Sequence, residues 1–222
     1  MGQNYQKKLD DVLSGIEREG AVPKLLLHSC CAPCSSYCLE YLSRYFDITL
    51  FFYNPNIYPE EEYRKRAREQ QDFISRFPAA RPVSFLEGAY ETERFYALTE
   101  GLWDEREGGR RCALCYELRL KEAAVHAVQL GMDYFTTTLS ISPLKNADLL
   151  NGTGDRLAKE YGVRYLNSDF KKRDGYKRSV ALSEEYGLYR QYYCGCEFSK
   201  KQRDTEIAQK EKAGITGKGR IL

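Results

Sequence analysis

Short apolar runs alternate with longer amphipathic stretches along most of the chain. Each run is short and bounded by turn-forming residues, so we predict five buried strands. The runs are residues 24–30, 48–53, 82–86, 134–141 and 163–166. Apolar positions at helical spacing predict helices over residues 5–19, 35–45, 59–77, 112–130 and 147–161. Because strands alternate with helices, the pattern predicts an α/β fold with a doubly wound, mostly parallel five-stranded sheet.

Two segments depart from this alternation. Residues 89–111 are polar and include Trp103, so we interpret them as a lid or a helical insertion. Residues 171–222 are basic, and we expect a C-terminal extension that is helical in pieces. We predict that residues 1–222 form a single α/β domain carrying both segments. In such sheets, ligands bind beyond the carboxyl ends of the strands, where a first group of cysteines follows the first strand.

The composition is that of an ordinary globular protein, with 42% hydrophobic residues, 17 glycines and 7 prolines among 222 residues. No apolar run approaches the roughly 20 residues that span a bilayer. The amino-terminal region also lacks the apolar stretch of a secretory signal. We therefore expect a cytoplasmic protein without membrane contact. The net charge of +2 does not by itself indicate nucleic-acid binding.

Eight cysteines need a chemical explanation, because structural disulfides are rare in the cytosol. Seven of them fall into three tight groups at strand ends, helix starts or a glycine turn. The groups are Cys30, Cys31 and Cys34; Cys112 and Cys115; and Cys194 and Cys196. Cys38 follows Cys34 by one helical turn among apolar residues, and we interpret it as a core residue.

The spacing in the first two groups indicates metal binding. Cys112 and Cys115 are three residues apart, so a helix would present both thiols to one metal. Cys30 and Cys31 are adjacent, which suits a polynuclear centre such as a 4Fe–4S cluster better than a single tetrahedral zinc. The sequence does not decide whether Cys34 is a metal ligand or a residue without a role in metal binding. A structural zinc site built from two of these thiols and two others also stays open.

The Cys194-Gly195-Cys196 segment suggests different chemistry. Two cysteines separated by one glycine can close a small, strained disulfide that stores two electrons, or they can bind a second metal. His28 lies within an apolar strand, and we interpret it as a buried, hydrogen-bonded histidine rather than a ligand.

Five ordered motifs between Leu25 and Phe198 carry a family resemblance. They are residues 28–33 (HSCCAP), 51–57 (FFYNPNI), 111–120 (RCALCYELRL), 134–143 (YFTTTLSISP) and 189–196 (YRQYYCGC). With these motifs the chain resembles the cobalamin-independent epoxyqueuosine reductases of the QueH type. The resemblance implies a parallel sheet of the nucleotide-alpha-hydrolase-like, HUP-type fold.

The same resemblance implies roles for the cysteines. The implied ligands of a 4Fe–4S cluster are Cys30, Cys31, Cys112 and Cys115. The implied redox-active pair is Cys194 and Cys196. A second metal, such as a mononuclear iron, is also implied beside the cluster. Its candidate ligands are Cys34, Cys194 and Cys196.

The implied activity is an oxidoreductase reaction, the reduction of epoxyqueuosine to queuosine at the wobble position of tRNA. It removes the epoxide oxygen with two electrons. The implied partners are a tRNA anticodon loop carrying epoxyqueuosine and an electron donor that the sequence does not identify. Single-stranded loops are bound by aromatic stacking and by cations on phosphates. Tyrosines, 18 in all, and basic residues of the C-terminal segment could supply both, although such charges also suit an ordinary solvated face. The basic candidates are Lys171, Lys172, Arg173, Lys177, Arg178, Lys200, Lys201, Arg203, Lys210, Lys212, Lys218 and Arg220.

Two other functions remain as alternatives. An ATP-dependent tRNA sulfur transferase needs a glycine-rich phosphate loop after the first strand, but residues 30–34 read CCAPC there. A non-catalytic, zinc-stabilised RNA-binding protein would explain some cysteines but not the adjacent pair or the Cys-Gly-Cys segment. A thioredoxin-like oxidoreductase fits least, because no cysteine pair has the expected strand–helix setting apart from the metal groups.

Overall fold

The computed structural model describes residues 3–213. Five parallel strands form one sheet in the order β3-β2-β1-β4-β5. The strands are β1 (Lys24–His28), β2 (Asp47–Phe52), β3 (Val83–Glu87), β4 (Tyr134–Thr137) and β5 (Arg164–Tyr165). The predicted doubly wound α/β fold is therefore confirmed, and every strand pair is parallel.

Helices cover both faces of the sheet. They are α1 (Tyr5–Glu19), α2 (Ala32–Leu42), α3 (Glu60–Arg76), α4 (Thr92–Leu98), α5 (Arg110–Gln129), α6 (Ala147–Tyr161), α7 (Gly175–Glu185) and α8 (Glu197–Lys212). Side chains of a strand alternate between faces. Leu25 and Leu27 accordingly join the apolar core with α1, α2 and α3, whereas Leu26 joins the core with α5 and α6.

The fourth strand is shorter than the predicted range of residues 134–141. It ends at Thr137, and a 3-10 helix, Thr138–Ile141, follows. The Thr137 hydroxyl accepts a hydrogen bond from the Leu139 amide at 3.1 Å, which caps this turn. The β-branched residues that suggested a longer strand are therefore buried in a turn at the carboxyl edge of the sheet.

The direction of winding reverses between β1 and β4. After β1 the chain enters α2, which packs on one face, and after β4 it enters α6, which packs on the other. The loops after β1 and β4 thus diverge and leave a crevice between them, the usual ligand-binding position in such sheets. Cys30 and Cys31 lie in the loop after β1, as predicted, and Cys34 lies in the first turn of α2.

Helices also occur in the two segments that depart from the alternation. Within residues 89–111, α4 is followed by turns, and the Glu107 amide donates a hydrogen bond to the Gln202 side chain of α8 at 3.0 Å. The C-terminal segment contributes α7 and α8. Residues 214–222, with Lys218 and Arg220, lie outside the described residues. Within residues 3–213, no helix has the length and apolar character required to cross a membrane.

Candidate metal centre

The turn between β1 and α2 brings three thiols together. Cys31 is extended (φ −176°, ψ 161°) and Pro33 lies in the first turn of α2, so the chain bends sharply between strand and helix. The sulfur atoms of Cys30, Cys31 and Cys34 lie within 4.8 Å of one another, and those of Cys30 and Cys31 are 3.7 Å apart. These three residues could hold a metal ion.

Cys112 lies in the first turn of α5 and Cys115 in the second, and both are buried. The Gly108 amide donates a hydrogen bond to the Cys112 sulfur at 3.2 Å. Arg119 follows one turn after Cys115 on the same helical face, and its Nε donates to the Cys115 carbonyl at 3.1 Å. The start of α5 thus presents two thiols and a buried guanidinium on one face.

The Cys194-Gly195-Cys196 segment forms a tight turn before α8. Gly195 has φ +131°, and a Cβ there would lie 3.0 Å from Ile57 Cγ1, so only glycine fits without strain. The Tyr58 amide donates to the Gly195 carbonyl at 3.0 Å. Cys196 caps α8, its sulfur accepting from the Ser199 amide at 3.4 Å. Both cysteines are free thiols.

Two neighbouring cavities unite the three groups. The outer cavity contains Cys30, Cys31, Cys34 and Cys194 in its wall, together with residues of α7. The inner cavity contains Cys112, Cys115, Cys194 and Cys196 in its wall. Cys194 lines both cavities, so the structure brings all seven predicted cysteines into one region.

Cys38 and His28 take structural positions, as interpreted from the sequence. Cys38 is fully buried in the apolar core that contains α1 to α3, and its sulfur donates to the Cys34 carbonyl at 3.4 Å. The His28 ring is hydrogen-bonded to the Thr137 hydroxyl at 2.8 Å and to the Tyr53 carbonyl at 3.1 Å. Burial, assisted by the Arg119 charge, lowers the pKa of His28 to about 4, so the ring is neutral.

Buried cations surround the two cavities. Arg111, Arg119 and Lys145 are each at most 7% exposed and line one cavity or the other. Arg111 Nε and Nη2 and Arg119 Nη2 have no hydrogen-bond partner among the described residues. Unpartnered buried cations beside thiols are expected where an anionic group binds. A thiolate-ligated metal cluster, which carries net negative charge, therefore fits these residues.

The thiols differ in their protonation. Hydrogen bonds from the Cys31 and Cys34 thiols hold the pKa of Cys30 well below its ordinary value. Burial raises the pKa of Cys115 to about 11. Thiolates are the metal-binding form, so Cys30 gives up its proton more readily than Cys115 when a metal enters.

The buried cations were missed by the sequence reasoning. Arg119 could have been found, because it continues the helical face of Cys112 and Cys115. Lys145 could also have been suspected, since it lies at the carboxyl edge of the sheet, shortly after a buried strand.

Comparison with known proteins adds an independent finding. A family model described as "Epoxyqueuosine reductase QueH" matches residues 25–202. A curated relative of that name from Streptococcus pyogenes is 44% identical over 211 residues, covering 94% of this chain and 83% of the relative. Another from Staphylococcus aureus is 45% identical over 208 residues (92% and 87%), and one from Thermotoga maritima is 36% identical over 195 residues (84% and 96%). The span matched by the family model contains all three cysteine groups and Lys145.

Proposed function

The chain belongs to the epoxyqueuosine reductase QueH family, and we propose that it reduces epoxyqueuosine to queuosine at the wobble position of tRNA. One structural observation carries the proposal beyond the family name. Three cysteine groups, far apart in sequence, converge at the crevice where the sheet reverses its winding. Such convergence supports a metal-dependent redox centre.

The ligand assignment is part of the proposal. Cys30, Cys31, Cys112 and Cys115 would hold a 4Fe–4S cluster, which when bound supplies single electrons and an open iron that can act as a Lewis acid. The closeness of the Cys34 sulfur to those of Cys30 and Cys31 supports Cys34 as a ligand rather than a bystander. Cys34 would then contribute to a second, mononuclear iron together with Cys194 or Cys196.

Cys194 and Cys196 have an alternative role as a dithiol. Converting an epoxide to an alkene and water consumes two electrons and two protons. Oxidation of two thiols to one disulfide releases that number of each, so the pair balances the reaction. The external electron donor would then reduce the disulfide before the next turnover. The close sequence spacing and the tight turn that Gly195 allows between the two cysteines support a labile pair of this kind.

The anticodon loop would approach through the outer cavity. Tyr176 belongs to its wall and is half-buried, so its ring could offer an aromatic surface for a splayed base. Lys172 and Lys177 flank Tyr176, are exposed, and have no ion pair among residues 3–213. They are better candidates for phosphate contacts than the other basic residues named from the sequence, several of which are paired with carboxylates. The paired ones are Lys171, Arg173, Arg178, Lys200, Lys201 and Arg203.

The test combines metal analysis with turnover. Protein purified without oxygen is assayed for iron, acid-labile sulfide and zinc, and then incubated with epoxyqueuosine-containing tRNA and dithionite. We expect about four or five irons and four sulfides per chain, and queuosine among the digested nucleosides. Zinc without sulfide, together with no queuosine, would refute the reductase and favour the zinc-stabilised RNA-binding protein. Turnover that requires ATP would instead revive the sulfur transferase.

A further inference from the structure

Lys145 is a buried cation that no described residue neutralises. Its side chain is 7% exposed, and its amide donates to the Ser142 carbonyl at 3.2 Å in the turn before α6. Lys145 lines the outer cavity, and within residues 3–213 its Nζ has no carboxylate within 4 Å and donates no hydrogen bond to a protein group. Burying an ammonium group without an acceptor is costly, so a lysine held in this way is expected to meet a ligand.

Two other buried cations near the thiols have protein partners for part of their guanidinium groups. Arg66 forms an ion pair with Glu62 at 2.7 Å and donates to the Cys194 carbonyl at 3.3 Å. Arg111 donates to backbone carbonyls that include Trp103 at 2.8 Å. Lys145 differs from these two arginines in donating no side-chain hydrogen bond to a described residue, so its N–H donors are available for something that enters the cavity.

The position of Lys145 identifies which cavity it serves. It lines the outer cavity, whose wall also includes half-buried residues such as Cys34, Tyr176 and Cys194. The inner cavity is lined almost entirely by buried residues. A substrate that enters the outer cavity would therefore meet Lys145, whereas Arg119 lines the inner cavity.

The size and charge of this space restrict its occupant. The outer cavity has a volume of about 20 Å³, which accommodates one water-sized group. A lysine side chain is ordinarily a cation at neutral pH, so the one in this wall attracts an oxygen atom that carries or develops negative charge.

We propose that the Lys145 ammonium group binds the epoxide oxygen of the substrate nucleoside and holds it beside Cys34 and Cys194. This inference rests on the proposed function and adds a residue outside the cysteine groups. The hydrogen bond would strengthen as the oxygen gains negative charge during C–O cleavage, so Lys145 contributes to both binding and rate.

Binding measured without reductant tests the proposal independently of turnover. Wild type, K145M and K145R are titrated with two tRNAs that differ only in carrying epoxyqueuosine or queuosine. K145M should bind the epoxide tRNA about tenfold or more weakly, because a charge-assisted hydrogen bond is lost, while its affinity for queuosine tRNA stays within about twofold. K145R keeps the positive charge and should lose less affinity for the epoxide tRNA. K159M, which removes an exposed charge from α6, should bind both tRNAs as wild type does.

Three results would overturn the inference. If K145M binds both tRNAs equally more weakly than wild type, Lys145 is a general phosphate contact. If its affinity for both is unchanged, Lys145 has no role in binding the epoxide oxygen. Loss of iron and sulfide from K145M would show that the positive charge of Lys145 stabilises the metal centre instead. If wild type with full iron content neither prefers epoxide tRNA nor converts it, the proposed function itself fails. If wild type prefers and converts the epoxide tRNA but K145M binds both tRNAs as wild type does, only this inference is rejected.

Discussion

At the scale of single residues, Cys194 has the most unusual position in the structure. It lines both cavities and is half-buried, whereas its neighbour Cys196 is buried and caps α8. Cys194 can therefore meet a substrate in the outer cavity as well as the thiols of the inner one. Cys38, by contrast, has only apolar neighbours and a backbone carbonyl to contact.

Replacing Cys194 with serine separates its two proposed roles. C194S should reduce turnover to the background level, because a serine hydroxyl can neither complete a dithiol nor replace a thiolate ligand well. If Cys194 acts in the dithiol, the iron content stays at the wild-type value. If it binds the second metal, about one iron per chain is lost. Iron content and nucleoside analysis of the same preparation give the answer.

Cys38→Ser is the matched control for that experiment. Serine keeps the hydrogen bond to the Cys34 carbonyl, so iron content and turnover should remain close to wild type. Normal turnover by C194S would contradict both proposed roles of Cys194. A large loss of activity in C38S would show that cysteine replacement near this helix is harmful in itself.

At the scale of elements, the placement of α6 fixes the turn that carries Lys145. The side chain of Asn151 in α6 donates to the Ser168 carbonyl at 2.9 Å and accepts from the Ser168 amide at 2.9 Å. Gly154 allows the helix to lie against the ring of Tyr165, since a Cβ there would lie 2.4 Å from that ring. The close approach of α6 to β5 therefore depends on this one glycine.

Alanine substitutions at two glycines of α6 test this close packing. G154A should lower the free energy of unfolding by about 1–3 kcal/mol, because the added methyl group forces the helix away from Tyr165. G152A has no neighbour within 4 Å of the new Cβ and should raise it by about 0.5–1 kcal/mol through better helix propensity. Urea unfolding of both variants measures the difference. If G154A stabilised the protein as much as G152A, the fold would not require α6 to lie so close to Tyr165.

The helices and strands were predictable where local signals agree. Residues 147–161 form the predicted helix, with Asn146 capping its start and Gly162 in the left-handed conformation at its end. The helix after β1 was predicted to begin at residue 35 but begins at Ala32, because Pro33 is tolerated in a first helical turn. The end of β4 was not predictable, since a side-chain cap from Thr137 outweighs β propensity there.

At the scale of the whole molecule, the candidate metal centre connects three distant segments of chain. The β1–α2 turn, the start of α5 and the loop before α8 all contribute to its walls. A metal bound by all three would favour the folded state, because the unfolded chain cannot assemble the same ligand set.

Removing the metal should therefore lower the thermal stability of the whole domain. Chelation of the iron is expected to reduce the unfolding temperature by roughly 10 °C, on the scale of a few kcal/mol of lost binding free energy. Differential scanning calorimetry without oxygen measures the shift. C115S should melt near the chelated wild type and respond little to chelator, whereas C38S should respond as wild type does. An unchanged melting temperature after complete iron removal would refute the proposal that a metal bound by all three segments stabilises the fold.

Only part of the site could be predicted from the residues themselves. The carboxyl-edge rule placed Cys30 and Cys31 correctly, because β1 is a recognisable buried strand. No local signal places Cys112 or Cys194 beside them, since both follow segments whose packing depends on tertiary contacts. The buried cations escaped notice because arginine and lysine are usually exposed.

The amino terminus of α2 has an evolutionary consequence. In sheets wound in this way, the helix after the first strand commonly directs its positive end at a nucleotide phosphate. Here that end follows Cys30 and Cys31, so the same helix dipole would stabilise the thiolates that bind a metal. At this helix terminus, replacing a phosphate-binding site by metal ligands thus requires new residues in a single turn, while the sheet and its helices can stay the same.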